Sequence, residues 1–107
     1  MILTFLDEAI SEIAESTNWF DRQSRGLGAE FRKEIDQVLE SITVAPESFA
    51  RFEFLGARRG KNVRRAITAR FSQVIVFAVR EAEIVVVAVY HSRRHPKYWT
   101  KRLGRKS

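Results

Sequence analysis

Residues 73–90 read QVIVFAVREAEIVVVAVY, and this stretch decides the fold. Gln73–Arg80 and Glu83–Tyr90 are β-branched and almost wholly apolar, with a short turn near Glu81 and Ala82 between them. Runs of this length and composition are central strands covered on both faces. Just upstream, Arg65, Ile67, Ala69 and Phe71 alternate with Arg64, Ala66, Thr68 and Arg70. That alternation predicts a third strand over Val63–Phe71, with one buried and one polar face. Three strands at such short spacing imply an antiparallel meander.

Working outward, the N-terminal part supplies the cover for one face. Met1–Phe5 is a short apolar segment and a first strand. Leu6, Ile10, Ile13, Thr17 and Phe20 then recur at helical spacing, with Asp7, Glu8, Glu12 and Glu15 on other faces. Gly26 and Gly28 mark a tight reversal. Leu27, Phe31, Ile35, Val38, Leu39 and Ile42 form the stripe of a second helix, which ends before Pro46. Two amphipathic helices joined by a short turn make an antiparallel hairpin that must lie on something flat. Phe49, Phe52, Phe54 and Leu55 should dock on the core, and Gly56–Lys61 reads as an exposed basic turn. The expected class is therefore α+β: an N-terminal strand and a helical hairpin on a three- to four-stranded antiparallel sheet, followed by a basic tail. Residues 1–107 suit a single domain. The far sheet face needs a cover too, and an uncovered apolar face would hint at a protein partner.

Charge is distributed unevenly. Residues 1–57 carry 5 Lys/Arg and 11 Asp/Glu, a net −6, whereas residues 58–107 carry 14 and 2, a net +12. The second half thus suits an anionic partner, nucleic acid or an acidic protein, beside the plainer alternative of a solubilising basic surface. Cysteine is absent, which excludes disulfides and thiolate metal sites and fits a reducing cytoplasm. The start of the chain lacks the basic region of a signal peptide, and the longest apolar run, Ile84–Tyr90, is too short to span a bilayer, so no membrane association is expected. No cofactor motif is present. His91 and His95 as a metal pair would need a helix, and Pro96 argues against one there.

Several local patterns together resemble the RelE/ParE (plasmid stabilisation) toxins of type II toxin–antitoxin systems. Trp19-Phe20 looks like the Trp-Tyr that closes their first helix. Gly26-Leu27-Gly28, followed by Phe31, resembles the Gly-Leu-Gly turn. Ile42, Pro46 and Phe49 match an Ile-x-x-x-Pro-x-x-Phe pattern. Arg64-Arg65 and Arg70-Phe71 sit where the family has an Arg-rich strand and an Arg-Phe-Pro-Tyr corner, with Ser72 in place of the usual Pro. His91, Arg94, Pro96, Trp99 and Arg102 resemble the motif after the last strand. The resemblance covers nearly the whole chain. It implies a cognate antitoxin whose acidic, partly disordered C-terminal segment wraps the toxin, and growth inhibition by one of two routes. A ParE-like poison of DNA gyrase is the leading expectation, and it carries no hydrolytic chemistry. A RelE-like endoribonuclease that cleaves mRNA on the ribosome is the alternative. A third possibility is a non-toxic antitoxin-binding regulator of its own operon.

Cleavage by 2′-OH attack needs an acid, a base and cations to hold the phosphorane. The candidates are His91, Arg94, Arg70, Arg65 and Tyr90. Candidates for binding the target or nucleic acid are Arg58, Arg59, Arg64, Arg70, Arg93, Arg94, Trp99 and Arg102. Each has a plainer role open to it. His91 could cap the strand end and fix the tail by hydrogen bonds. The arginines could form a solvated face, and Trp99 could anchor a short terminal helix rather than stack on a base.

Overall fold

The computed structural model describes residues 1–52, 62–94 and 98–104. The elements run β1 (Ile2–Phe5), α1 (Asp7–Gln23), α2 (Leu27–Val44), a 3-10 turn (Pro46–Ser48), β2 (Ala50–Arg51), β3 (Val63–Ile67), β4 (Gln73–Val79), β5 (Glu83–His91) and a second 3-10 turn (Thr100–Gly104). Phe54, Leu55 and the expected basic turn at Gly56–Lys61 lie outside the described residues. The sheet has five strands in the order β1-β5-β4-β3-β2. It is mixed, because β1 pairs in parallel with β5 while the other neighbours are antiparallel. The strand count exceeds the expected three or four for two reasons. The N-terminal strand joins the sheet beside β5, and Ala50–Arg51 adds a two-residue edge against Arg64 and Arg65.

The helical hairpin covers one face, as its apolar stripes require. Ala9, Ile13, Phe31, Ile35, Leu39 and Ile42 pack there with Ala66, Phe71, Ile75, Phe77, Ile84, Val86 and Val89. Phe20, Phe31 and Phe71 form a mutual aromatic cluster with centroids 4.9–5.7 Å apart. Ile10, expected in the α1 stripe, is 52% exposed instead, and Ala9 takes its place in the core. Helix α2 is preceded by Gly26, its N-terminal capping residue, whose φ of 88° only glycine adopts without strain. Two residues on, a Cβ at Gly28 would lie 2.5 Å from the Thr17 carbonyl oxygen, so the closeness of the two helices depends on that glycine. The Asp21 carboxylate accepts both glycine amides and ties the reversal down.

The far face is covered as well. Phe52, Val63, Val74, Val76, Ala78, Val87, Ala88 and Tyr90 pack there with Trp99, and Leu6, Tyr98 and Leu103 border them. Tyr98, Trp99 and Leu103 of the basic tail therefore serve as the second layer over this part of the sheet. Ile67, 60% exposed, lies at the end of β3.

Strand β3 stops at Ile67 rather than continuing to Phe71. The Thr68 hydroxyl accepts the Gln73 amide at 2.9 Å, and the Thr68 amide donates to the Gln73 carbonyl at 2.8 Å. This closes a tight turn in which Ser72 has a φ of 54°. Proline, fixed near −65°, could not adopt that angle, so the corner differs from the family pattern at the position where Ser72 stands. A second irregularity lies in β5. Val76 pairs with Ala88 and Phe77 with Val86, which leaves Val87 as a bulge. The extra residue shifts the phase of the strand. Ile84, Val86 and Val89 therefore serve the helix face, while Val87, Ala88 and Tyr90 serve the far face.

Candidate functional site

The bulge, the β3–β4 turn and the end of β5 gather cations at one end of the sheet. Gln73 pairs with His91 across β4 and β5, and the Ser92 amide donates to the Ser72 carbonyl at 2.8 Å. The turn that carries Arg70 thus abuts the segment that carries His91, Arg93 and Arg94. Strand alternation after the bulge sends Tyr90 to the far face and His91 to the opposite one. His91 is exposed, and its Nδ1 accepts the Arg93 amide at 3.1 Å. That bond caps the strand end. The Arg94 amide donates to the His91 carbonyl at 2.9 Å.

Arg70 is exposed in the turn and is bonded to Glu30 of α2. One helical turn later, Glu34 accepts the Arg70 amide at 2.8 Å and the Phe71 amide at 3.0 Å. Partial burial works to raise the Glu34 pKa, but these two amides, the Thr68 hydroxyl and the Arg70 charge outweigh it, so the carboxyl sits below its usual value. Two α2 carboxylates therefore brace the turn that displays Arg70.

The other candidates are engaged inside the protein. Arg64 is mostly buried, not on a free polar face. Its Nε donates to Asn62 Oδ1 at 2.8 Å and its Nη1 to the Phe49 carbonyl at 2.7 Å, while Nη2 meets Glu47 Oε2 at 3.2 Å. The Arg65 guanidinium lies 5.0 Å from the Phe52 ring centroid, a cation–π contact on the far face. Tyr90 is buried with its ring edge-on to Tyr98 at 5.3 Å. Trp99 is fully buried and meets Phe52 at 4.9 Å. Arg58 and Arg59, like His95 and Pro96, lie outside the described residues.

Arg102 is held by Glu12, a residue the sequence places on a solvent-facing side of α1. The pair is 3.1 Å apart, with side chains 15% and 13% exposed. Arg102 also donates from Nη1 to Glu12 Oε1 at 3.2 Å and to the carbonyl of the bulged Val87 at 3.0 Å. Glu12 further accepts the Val89 amide at 2.9 Å and the Tyr98 hydroxyl at 2.6 Å. Desolvation and then Glu12 push the Tyr98 phenol well above its ordinary ionisation range. For Arg102, desolvation alone would lower the pKa, but Glu12 reverses the balance and raises it.

The position of this cluster follows from the topology. The last β1–β5 bond is from the Leu6 amide to the Val86 carbonyl, 3.0 Å. Beyond it, β1 has turned away into α1, and the outward groups of β5 lack a neighbouring strand. The Arg102 guanidinium and the Glu12 carboxylate bond Val87 and Val89 there, which closes the edge.

No protein-family model and no curated protein sequence matches the chain. Several solved structures resemble it in three dimensions. One is a free-state mutant of the E. coli toxin RelE with two arginines changed to alanine, at 18% identity and a TM-score of 0.64, covering 94% of this chain and 95% of that one. Another belongs to the chromosomal ParDE TA system of P. aeruginosa, at 16% identity and a TM-score of 0.57, covering 85% of this chain and 95% of that one. This is the RelE/ParE toxin fold.

Within the RelE/ParE fold, the motif residues acquire physical roles. Phe20 and Phe31 belong to one aromatic cluster, and Gly28 sets the helix spacing. Trp99 and Arg102 hold the tail on the sheet, Trp99 by burial and Arg102 by its charge. Among the described candidates, those that stay exposed at the basic end are His91, Arg93, Arg94 and Arg70, the last paired with Glu30. Glu12 and Tyr98 were not among the expected site residues. A helical acid with no basic residue at i±3 or i±4 was the one available signal for Glu12, since its partners lie more than 75 positions away. Among the described residues, no group of three His, Asp or Glu is placed to hold a metal ion, and no helix is long and apolar enough to cross a membrane.

Proposed function

We propose that the chain is the toxin of a type II toxin–antitoxin pair, and that its target is DNA gyrase. The likeness to RelE and to the ParDE chain over nearly its full length carries the first part. The partner that silences it is an antitoxin with an acidic, partly disordered segment, matched to the +12 charge of residues 58–107. The state of the candidate catalytic groups supports a binding mechanism. Tyr90 is buried, the Tyr98 hydroxyl is given to Glu12, Arg65 stacks on Phe52, and Arg64 and Arg102 are bonded internally. Glu30 and Glu34, the α2 carboxylates at this end, are themselves bonded to Arg70 and its turn. A surface of arginines and one imidazole suits recognition of phosphates or carboxylates, since guanidinium binds both in a bidentate manner.

The test is DNA gyrase supercoiling and cleavage with purified wild type and His91→Ala in parallel. The expected result is inhibition, or trapped linear DNA, with both proteins. No effect on gyrase would overturn the target. The outward-facing His91 beside Arg93 and Arg94 favours one second reading, ribosome-dependent mRNA cleavage. In that case His91→Ala should lower the cleavage rate by about 10²-fold or more.

A further inference from the structure

Two different forces hold the tail over the far face. Trp99 is fully buried among Phe52 and the strand side chains, and that burial alone favours a closed tail. Apolar burial has little directional preference, however, and it does not fix where neighbouring polar groups point. Glu12 does. It accepts hydrogen bonds from the Val89 amide, the Tyr98 hydroxyl and both terminal nitrogens of Arg102. None of these donors is in α1. A partly buried ion pair contributes little net stability beside an apolar replacement, so its value lies in geometry.

The geometry leads to Arg94. Its guanidinium carbon lies 3.8 Å from the centroid of the Tyr98 ring, while Tyr90 meets the same ring edge-on and Arg102 lies 5.1 Å from it. The ring is therefore a platform whose hydroxyl end is pinned by Glu12 and whose face carries a surface cation.

We propose that Glu12 is a positioning residue for the basic end: by fixing the Tyr98 hydroxyl it sets the ring on which the Arg94 guanidinium rests. A carboxylate on the first helix thereby determines where a cation at the other end of the sequence is presented. The functional consequence rests on the proposed target-binding role of the basic end, whereas the placement itself does not.

The experiment is NMR of the Arg94 side chain, whose δ-methylene and Nε–H resonances carry a ring-current shift from Tyr98. It is done on the full chain as wild type, Glu12→Gln and Tyr98→Phe, with gyrase inhibition measured on the same samples, on Arg94→Ala and on the double variant Glu12→Gln with Arg94→Ala. In Glu12→Gln the sheet amides should stay near wild type while the Arg94 resonances move toward random-coil values. Tyr98→Phe keeps the ring but breaks its link to Glu12, so it should show the same direction of change. If Glu12→Gln does not fold, Tyr98→Phe decides. Wild-type Arg94 shifts in a folded Glu12→Gln or Tyr98→Phe protein would overturn the proposal. Inhibition should fall about tenfold in Glu12→Gln, and no further when it is combined with Arg94→Ala. Displaced Arg94 resonances with full inhibition in Arg94→Ala would support the positioning and refute the binding role of Arg94.

Discussion

The two faces of the sheet are closed in different ways. On the helix face, α1 and α2 lay continuous apolar stripes across the strands, and the contacts are side chain to side chain. On the far face, a short segment around Trp99 does the covering, pinned by an ion pair to a helix that belongs to the other layer. The first closure distributes its energy over many dispersion and burial contacts. The second concentrates it in one indole and one carboxylate. A distributed closure tolerates change at its margins, as the exposed Ile10 illustrates. A concentrated one has a few positions at which it can be undone, and those positions also orient the basic surface.

The sharpest break in the comparison should come from Phe31→Ala. Phe31 is fully buried against Phe20 and Phe71, so its loss removes the centre of the helix-face cluster. Unfolding by urea should show a loss of about 3–5 kcal/mol. Cooperative unfolding at wild-type stability would mean that the hairpin is not what holds the sheet.

A smaller loss is expected for Arg102→Ala, about 2–3 kcal/mol, because Glu12 is left partly buried without its cation, yet some solvent still reaches it. The more telling readout is local. Amide exchange should rise at the end of β5 and in residues 98–104 while the helix-face core stays protected. Uniform acceleration across both faces would show that the two closures are a single cooperative unit.

The smallest effect is a difference in pH limits. Tyr98 is held protonated, first by desolvation and then by Glu12, so its folded pKa lies above the 10.0 of an ordinary phenol. Its stabilising contribution is fully present below that value and is lost as pH rises from there through the folded pKa. Glu34 behaves in the opposite sense. Its folded pKa is below the ordinary 4.5, so its contribution is present above 4.5 and is lost as pH falls through the lower folded value. Unfolding midpoints across pH should therefore flatten on the alkaline side in Tyr98→Phe and on the acid side in Glu34→Gln. Identical profiles in all three proteins would remove both assignments.

How much of this was legible depends on how far apart the interacting residues are. The hairpin could be read from spacings of three and four because each helix is an element of local periodicity. The β4–β5 hairpin could be read because its turn spans only Glu81 and Ala82. The early end of β3 could not, since Thr68 and Arg70 continue the alternation, and the strand is ended by the Thr68–Gln73 bonds and the Glu34 carboxylate from another element. The pairing of β1 with β5 escaped for a similar reason. Met1–Phe5 is readable as a strand, but parallel pairing with Glu83–Val86 depends on what the helices leave open. In the candidate site, the arginines were visible as residue types, while their availability was not. Arg64 and Arg70 look alike in sequence, yet the first is mostly buried and bonded to the Phe49 carbonyl, while the second pairs with Glu30 at the exposed surface.

By itself the sequence determined the α+β class, the helical hairpin, the antiparallel core of the sheet and the charge contrast between its halves. All of these follow from local periodicity and composition, which act over one or two turns of chain. Only the tertiary structure decided that Val87 bulges and sends Tyr90 to the far face, that the tail forms the second layer, and that Glu12 belongs to the same cluster as Tyr98 and Arg102. Those outcomes depend on which backbone groups β1 leaves unpaired when it turns into α1, and a hydrogen-bonding need of that kind exists only once the strands have met.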